Sequence, residues 1–354
     1  RNLCYSQTGG KKTKCLLMNT YNYKLNLLKF HHYGQQCIQR CSFWNQCMQL
    51  KGKKRSLCLC QNHCHHYKRH YAYYAAIWKI YQTKCFWQSG AKRQKCLQRH
   101  RYYQTYYSAY AKYYGAQCSN NCALKFKCDQ QKGQQRNYCM CNYNCRHHTR
   151  YHLLHLEVAK SNMNLCYLKT GQNKTKCLEG YKHQHDIRNL SMKYYGAQCN
   201  QYCAQQNHCH LLKRQKRKYC LCQYSCNHYR RYYSYLAAQY NLHMTQCKWL
   251  TGSHRQRCLQ SNRYHYNLYS FYANHYGKQC INRCSFLNQC MHLNGQKKTL
   301  CLCQNNCHHH KNHYAFHSAL WKIYQTKCFW QTGAKQQKCL QRHRYYQTYY
   351  SAYA

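Results

Sequence analysis

The stretch from Cys96 to Cys122 reads CLQRHRYYQTYYSAYAKYYGAQCSNNC. Tyr102, Tyr103, Tyr106, Tyr107 and Tyr110 fall at i, i+1, i+4, i+5 and i+8, the spacing of a helical stripe. Gly115 follows as a predicted helix stop. Cys118 and Cys122, at i and i+4, then share one face of a next short helix. A further helix is predicted over 71–83, carrying Ala75, Ile77, Trp78 and Tyr81. Valine occurs once, at Val158, which argues against a sheet-dominated fold. The tyrosine stripe is expected to serve core and inter-unit packing. The rival expectation is an adhesive or cross-linking role for exposed tyrosine.

This stretch recurs. Gly34, Gly115, Gly196 and Gly277 stand 81 positions apart, each followed three residues later by cysteine. From Cys37 the cysteines are Cys37, Cys41, Cys47, Cys58, Cys60, Cys64, Cys85 and Cys96, with the spacing C-x3-C-x5-C-x10-C-x-C-x3-C-x20-C-x10-C. The frame holds without insertion or deletion through Cys339, and with Cys4 and Cys15 it accounts for all 34 cysteines. The expected organisation is a partial unit over 1–33, units over 34–114, 115–195 and 196–276, and a unit incomplete at its end over 277–354. A second period lies above the first: residues 78–111 and 321–354 differ only at Ser89/Thr332 and Arg93/Gln336. This implies a three-unit super-repeat. Both chain ends fall inside a unit, so the expectation is a window of a longer tandem-repeat polymer. Copied units of this kind point to a material or a binding array rather than an enzyme.

Eight cysteines per unit at fixed spacing predict four disulfides per unit and an oxidising compartment. Metal is the rival, from C-x-C-x3-C followed by histidine-rich segments. Zinc sites more often use C-x2-C pairs, and eight thiolates would need two sites per unit. Eight cysteines allow about 105 pairings. Cys37 and Cys41 suit one face of a helix, and Cys58 and Cys60 suit one face of a strand, so two helix-to-strand bonds are expected. The loop from Cys85 to Cys96 is expected to close on itself around Ser89-Gly90. Gly90 recurs as Gly9, Gly171, Gly252 and Gly333, always after Ser or Thr, and a turn with positive φ is implied.

The pairs C-x3-C at Cys37/Cys41 and C-x-C at Cys58/Cys60 resemble the cysteine-stabilised αβ motif of defensins and scorpion toxins. The resemblance covers about a third of each unit. The chain departs from that motif by placing Cys47 between the pairs and adding Cys85 and Cys96, so defensin activity is not carried over. The expected fold class is a small disulfide-rich tandem repeat, mainly α, with at most a short strand or hairpin per unit, stacked as a rod or solenoid-like filament. An 81-residue unit buries only a modest core, so covalent staples are expected.

Proline is absent, where ~5% usage would give about 18. Four acids, Asp129, Glu157, Glu179 and Asp186, face 56 Lys and Arg, for a formal charge of +52. Such a chain repels itself unless a polyanion neutralises it. Nucleic acid or an acidic polymer is an expected partner only if that charge is the natural one. The other account of the composition is that amide letters stand where the natural chain carries carboxylates, which peptide masses decide.

Catalysis by paired carboxylates has almost no material here, and no free cysteine is expected outside the frame, so no enzyme activity, metal or cofactor is assigned. His66, His147, His228 and His309 each sit two residues after the sixth cysteine of a unit. They are expected to be packed or solvated aromatic positions, with metal bridging as the sharper alternative. Asn173 and Asn189 open N-x-S/T sequons in segments expected to be surface loops. The sequence thus predicts a secreted, disulfide-stabilised structural protein that self-associates into an extracellular fibre, sheath or appendage, with glycans as candidate decoration and no membrane span. The alternative is a polycationic array on acidic polymers or microbial surfaces, with a defensin-like precursor third.

Overall fold

The computed structural model describes residues 2–354, which form two compact bodies that meet in sequence between Met192 and Lys193. The first holds α1 (Asn2–Tyr5), α2 (Gly9–His31), α3 (Cys37–Gln49), α4 (Gly52–Tyr81), α5 (Gly90–Lys112), α6 (Cys118–Gln130) and α7 (Gly133–Cys166), and α8 (Gly171–Lys193) closes it. The second holds α9 (Cys199–Leu211), α10 (Arg214–Met244), α11 (Gly252–Asn274), α12 (Cys280–Met291), α13 (Gly295–Gln325) and α14 (Gly333–Ala352). The chain is 93% helical, with no strand among the described residues. The expected strand at Cys58 and Cys60 is therefore corrected: both lie in α4. No proline or glycine interrupts that helix after Gly52, and Lys, Arg, Leu and Gln around the cysteines are good helix formers.

One turn design serves every hairpin. In α4 to α5, Ser89 is extended (φ −118°, ψ 161°) and Gly90 opens the next helix at φ 54°. The Cys85–Cys96 disulfide spans the turn with Cα atoms 5.5 Å apart. Gly171, Gly252 and Gly333 repeat this conformation at φ 53–60°. A Cβ at that φ meets the following carbonyl, so glycine is the natural occupant. The same C-x4-G-x5-C device also joins α3 to α4, where Gly52 has φ 56° and Cys47 bonds Cys58. The residue before this glycine is Lys51, so the Ser/Thr-Gly signature does not reveal the second use. Its equivalents are Gly133, Gly295 and, with a side chain, Arg214 at φ 47°.

Gly34, Gly115, Gly196 and Gly277 each lie in a five-residue π-helical turn (His32–Gln36, Tyr113–Gln117, Tyr194–Gln198, His275–Gln279), and at Gly115 the backbone kinks between α5 and α6, where the sequence places a helix stop. None has positive φ. Gly115 takes φ −71° and ψ −114°, outside the helical region. The π turn has a physical role. A straight helix of 3.6 residues per turn would carry Cys118 and Cys122 away from the face bearing Tyr103, Tyr107 and Tyr110. The wider turn absorbs one residue of drift and keeps both sets against α4.

Aromatic rings zip the hairpins. Along α4 and α5 the pairs are Trp78–Tyr103 (4.1 Å between centroids), Tyr74–Tyr107 (5.2 Å), Tyr71–Tyr110 (4.9 Å) and Tyr67–Tyr114 (5.1 Å). The register is antiparallel: each step back along α4 matches a step forward along α5. In the second body Tyr240–His265, Tyr233–Tyr272 and Tyr229–Tyr276 repeat the ladder at 4.6, 4.8 and 5.0 Å. Trp321–Tyr346, His317–Tyr350 and Tyr314–Tyr353 repeat it again. Each such pair contributes about 0.5–1.5 kcal/mol beyond area burial. Burial and neighbouring phenols push the Tyr110 hydroxyl well above its ordinary value and that of Tyr194 up to about 12. Leu154, Leu156, Val158 and Ala159 of α7 supply the aliphatic core that the tyrosines lack.

Candidate functional site

The site is the covalent junction between consecutive repeats. Cys60 and Cys64 stand one turn apart on α4, and Cys118 and Cys122 stand one turn apart on α6. They bond crosswise, Cys60 to Cys122 and Cys64 to Cys118, with Cα separations of 5.9 and 5.6 Å. The outer cysteine of one pair thus meets the outer cysteine of the other, as antiparallel helices require. Cys64 Sγ and Cys122 Sγ lie 3.5 Å apart, so the two bonds pack as one sulfur cluster. Cys64 is fully buried and Cys122 nearly so. In the second body Cys222–Cys284 and Cys226–Cys280 reproduce the pattern, with Cα separations of 5.8 and 5.6 Å. Cys141, Cys145, Cys199 and Cys203 are also held in disulfides.

This pairing corrects the defensin-like expectation. Cys58 bonds Cys47 across a turn, and Cys60 reaches the next repeat rather than its own. Cys37 and Cys41 are free, exposed thiols, as are Cys303 and Cys307. Two disulfides therefore join units 34–114 and 115–195, and two join units 196–276 and 277–354. The signal was present in the sequence: two C-x3-C pairs per frame match each other's i, i+4 spacing, a match between repeats that a search within one repeat does not find.

Polar groups trim the junction. Arg150 of α7 donates to the carbonyl of Gln117 in the π turn (3.2 Å) and to Asn121 Oδ1 (2.5 Å). Asn121 is buried. Lys53, at the start of α4, donates to the backbone carbonyl of Asp129 at the end of α6. Arg136 pairs with the Asp129 carboxylate at 3.2 Å. The stem of Lys68 lies 3.5 Å from where a Gly115 Cβ would stand, and Arg230 lies 3.4 Å from the matching point at Gly277. Long basic side chains thus cover the π turns with their methylenes.

The frame histidines pack among rings. His228 packs tilted against Tyr202 at 4.4 Å, and burial holds its pKa below the ordinary value. His147 lies beside Tyr143 at 5.9 Å, again with its pKa lowered by burial first and neighbouring charge second. His66 and His309 line matching hollows of about 790 and 710 Å³ with His32 and His275, Arg40 and Arg283, and Asn62 and Asn305. Where Asn62 and Asn305 stand, the intervening repeats carry Tyr143 and Tyr224. The hollow therefore follows the three-repeat period. Among the described residues no three histidine nitrogens gather within 4.8 Å; the groups that do gather contain sulfurs already in disulfides. Asn173 and Asn189 both lie in α8, the first exposed and the second half-buried, so the sequons sit on a helix rather than in loops.

No helix among the described residues is long and apolar enough to cross a membrane. Compared with protein-family models, curated proteins and solved structures, the chain matches none.

Proposed function

We propose that the chain is a secreted structural protein whose repeats are stitched into an extracellular fibre, sheath or appendage, and that it performs no catalysis. The observation that carries this reading is the crosswise disulfide pair between successive repeats, in the same frame positions in both bodies. Tension along such a chain is borne by S–S bonds, while aromatic ladders keep each hairpin closed. Disulfides at this density belong to an oxidising compartment. Lateral contacts would use residues that vary between cysteines, including the exposed Phe30 and Leu211.

The second reading, a polycation that coats an acidic polymer, draws on a different observation. Ion pairs engage Asp129, Glu157 and Asp186, and the chain carries four acids against 56 Lys and Arg. One experiment separates the two. Assemblies are imaged after 1 M-scale salt and, separately, after a strong reductant. The fibre reading expects survival in salt and collapse under reductant. Binding to heparin or DNA that falls steeply with salt, with no assembly of the protein alone, supports the polycation instead.

A further inference from the structure

We infer that Cys303/Cys307 and Cys37/Cys41 are the two unmated halves of the inter-repeat junction, and that each takes the complementary helix of another repeat of this frame. The inference rests on the structural reading above and names the bond that would extend it.

The argument starts from equivalence. Cys303 and Cys307 occupy the frame positions of Cys60 and Cys64, and Cys37 and Cys41 those of Cys118 and Cys122. Wherever both halves are present within a body, they are bonded crosswise. Burial tells the same story. Cys64 and Cys226 are fully buried, while Cys307 is exposed; Cys122 and Cys284 are nearly buried, while Cys41 is exposed. The backbone is ready on both sides. α13 continues as regular helix through Cys303 and Cys307, and α3 does so through Cys37 and Cys41, so each thiol pair already stands at i and i+4. Neither pair can satisfy itself well, because a helix holds residues four apart side by side with their Cβ atoms about 5–6 Å apart, beyond disulfide reach.

The occupant that fits α13 is a helix with a C-x3-C thiol pair behind a π turn, as in residues 113–130. Two whole copies of this chain do not fit without rearrangement, because α2 of one and α14 of the other hold the same frame position. The incoming helix must therefore arrive with the place of α14 left free. Coupling forms two bonds: Cys303 to the second cysteine of the incoming pair, and Cys307 to the first. Each bond releases two protons and two electrons. Two molecules of a low-molecular-weight disulfide such as oxidised glutathione accept them, and four glutathione thiols result.

The test uses the whole chain and a synthetic peptide of residues 113–130 carrying Cys128→Ser, incubated with oxidised glutathione. Intact and fragment mass spectrometry reads the products. The expected product is a 1:1 adduct with Cys303 joined to Cys122 and Cys307 to Cys118, in at least about 10-fold excess over the adduct of a peptide whose second cysteine is moved one position on, off the shared face. Random pairing, equal yield from the displaced peptide, or mixed glutathione disulfides alone would overturn the inference. Cys303→Ser with Cys307→Ser serves as the blank and leaves every internal bond in place. Failure here leaves the fibre reading standing if assemblies still survive salt and collapse under reductant. Collapse of that reading with intact coupling leaves the junction as a link between repeats that does not build a fibre.

Discussion

Removing the two bonds of one junction separately and together should give costs that do not add. In the chain-entropy account a disulfide stabilises by about 298 K × (2.1 + 1.5R ln n) cal/mol/K, with n the residues in the loop it closes. Cys60–Cys122 closes a separation of 62 and Cys64–Cys118 one of 54, which alone correspond to about 4.3 and 4.2 kcal/mol. Once either is formed, the other closes only the ring of about 10 residues made by the two i, i+4 spans, worth about 2.7 kcal/mol. Cys60→Ala/Cys122→Ala and Cys64→Ala/Cys118→Ala should therefore each cost about 2.7 kcal/mol, and the fourfold variant about 7, roughly 1.6 more than the sum. The readout is hydrogen exchange of the α6 amides in rising denaturant, where 1.4 kcal/mol is tenfold in the opening constant. Either double variant should exchange about 80–100-fold faster. Costs that simply add would refute the shared-loop reasoning. So would a near-zero cost for either pair, which would mean that packing and not covalency holds α6 on α4.

Arg214 holds a left-handed conformation at φ 47° where its equivalents are glycine, so Arg214→Gly should raise stability by about 1 kcal/mol, read as an upward shift in the denaturant midpoint. Gly90→Ala should lose a similar amount. His152 is buried on α7, and burial first, with Arg188, His148 and His155 after it, lowers its pKa to about 4. The unfolded chain then binds more protons than the folded one between pH 6.5 and about 4. Stability is complete above that window and falls through it on acidification by up to about 3 kcal/mol, a slope that His152→Gln should flatten. Trp78 and Trp321 stack on Tyr103 and Tyr346 at 4.1 and 4.5 Å in nearly identical sequence, so alanine at either should cost about 2 kcal/mol, equal within 0.5 in equilibrium unfolding.

The periodic features of the chain are readable because they depend on local geometry. The tyrosine stripe from Tyr102 to Tyr110 specifies α5, and Ser89-Gly90 midway between Cys85 and Cys96 specifies the hairpin that their bond spans. The junction is harder to read because disulfide choice is a tertiary fact. Cys60 has Cys58, Cys64 and Cys47 close in sequence, yet its partner Cys122 is 62 residues away. The i, i+2 spacing of Cys58 and Cys60 suggests a strand face, but on a helix it sends the two sulfurs to different sides, one to its own hairpin and one to the next repeat. Gly115 is legible as a break, since its backbone leaves the helical region between α5 and α6, but nothing local in the sequence announces the π turn around it. Arg214 shows the limit from the other side, since no local rule places an arginine at positive φ; the repeat alone reveals what position it fills.

Local electrostatics work against this fold, which explains why so much of it is covalent. No helix among the described residues carries an acid in its first turn, and none of the assigned N-caps makes a side-chain capping bond. α4 instead begins with Lys53, Lys54 and Arg55, and α10 with Arg214, Lys216 and Arg217, cations at the positive end of the helix dipole. Each of these starts lies inside a twelve-residue loop closed by a disulfide at a sequence separation of 11, Cys47–Cys58 around Gly52 or Cys209–Cys220 around Arg214. The bond holds the first turn in place where charge would fray it, by an amount of about 2.7 kcal/mol that exceeds the few tenths to 1 kcal/mol per unfavourable cation. Reduction should therefore open these helix starts before the aromatic ladders give way. Low salt should widen the gap and high salt narrow it, since screening removes the repulsion and leaves the ladder untouched. Exchange at residues 53–58 that is no faster after reduction than before would show that the loops are not what restrains the charge.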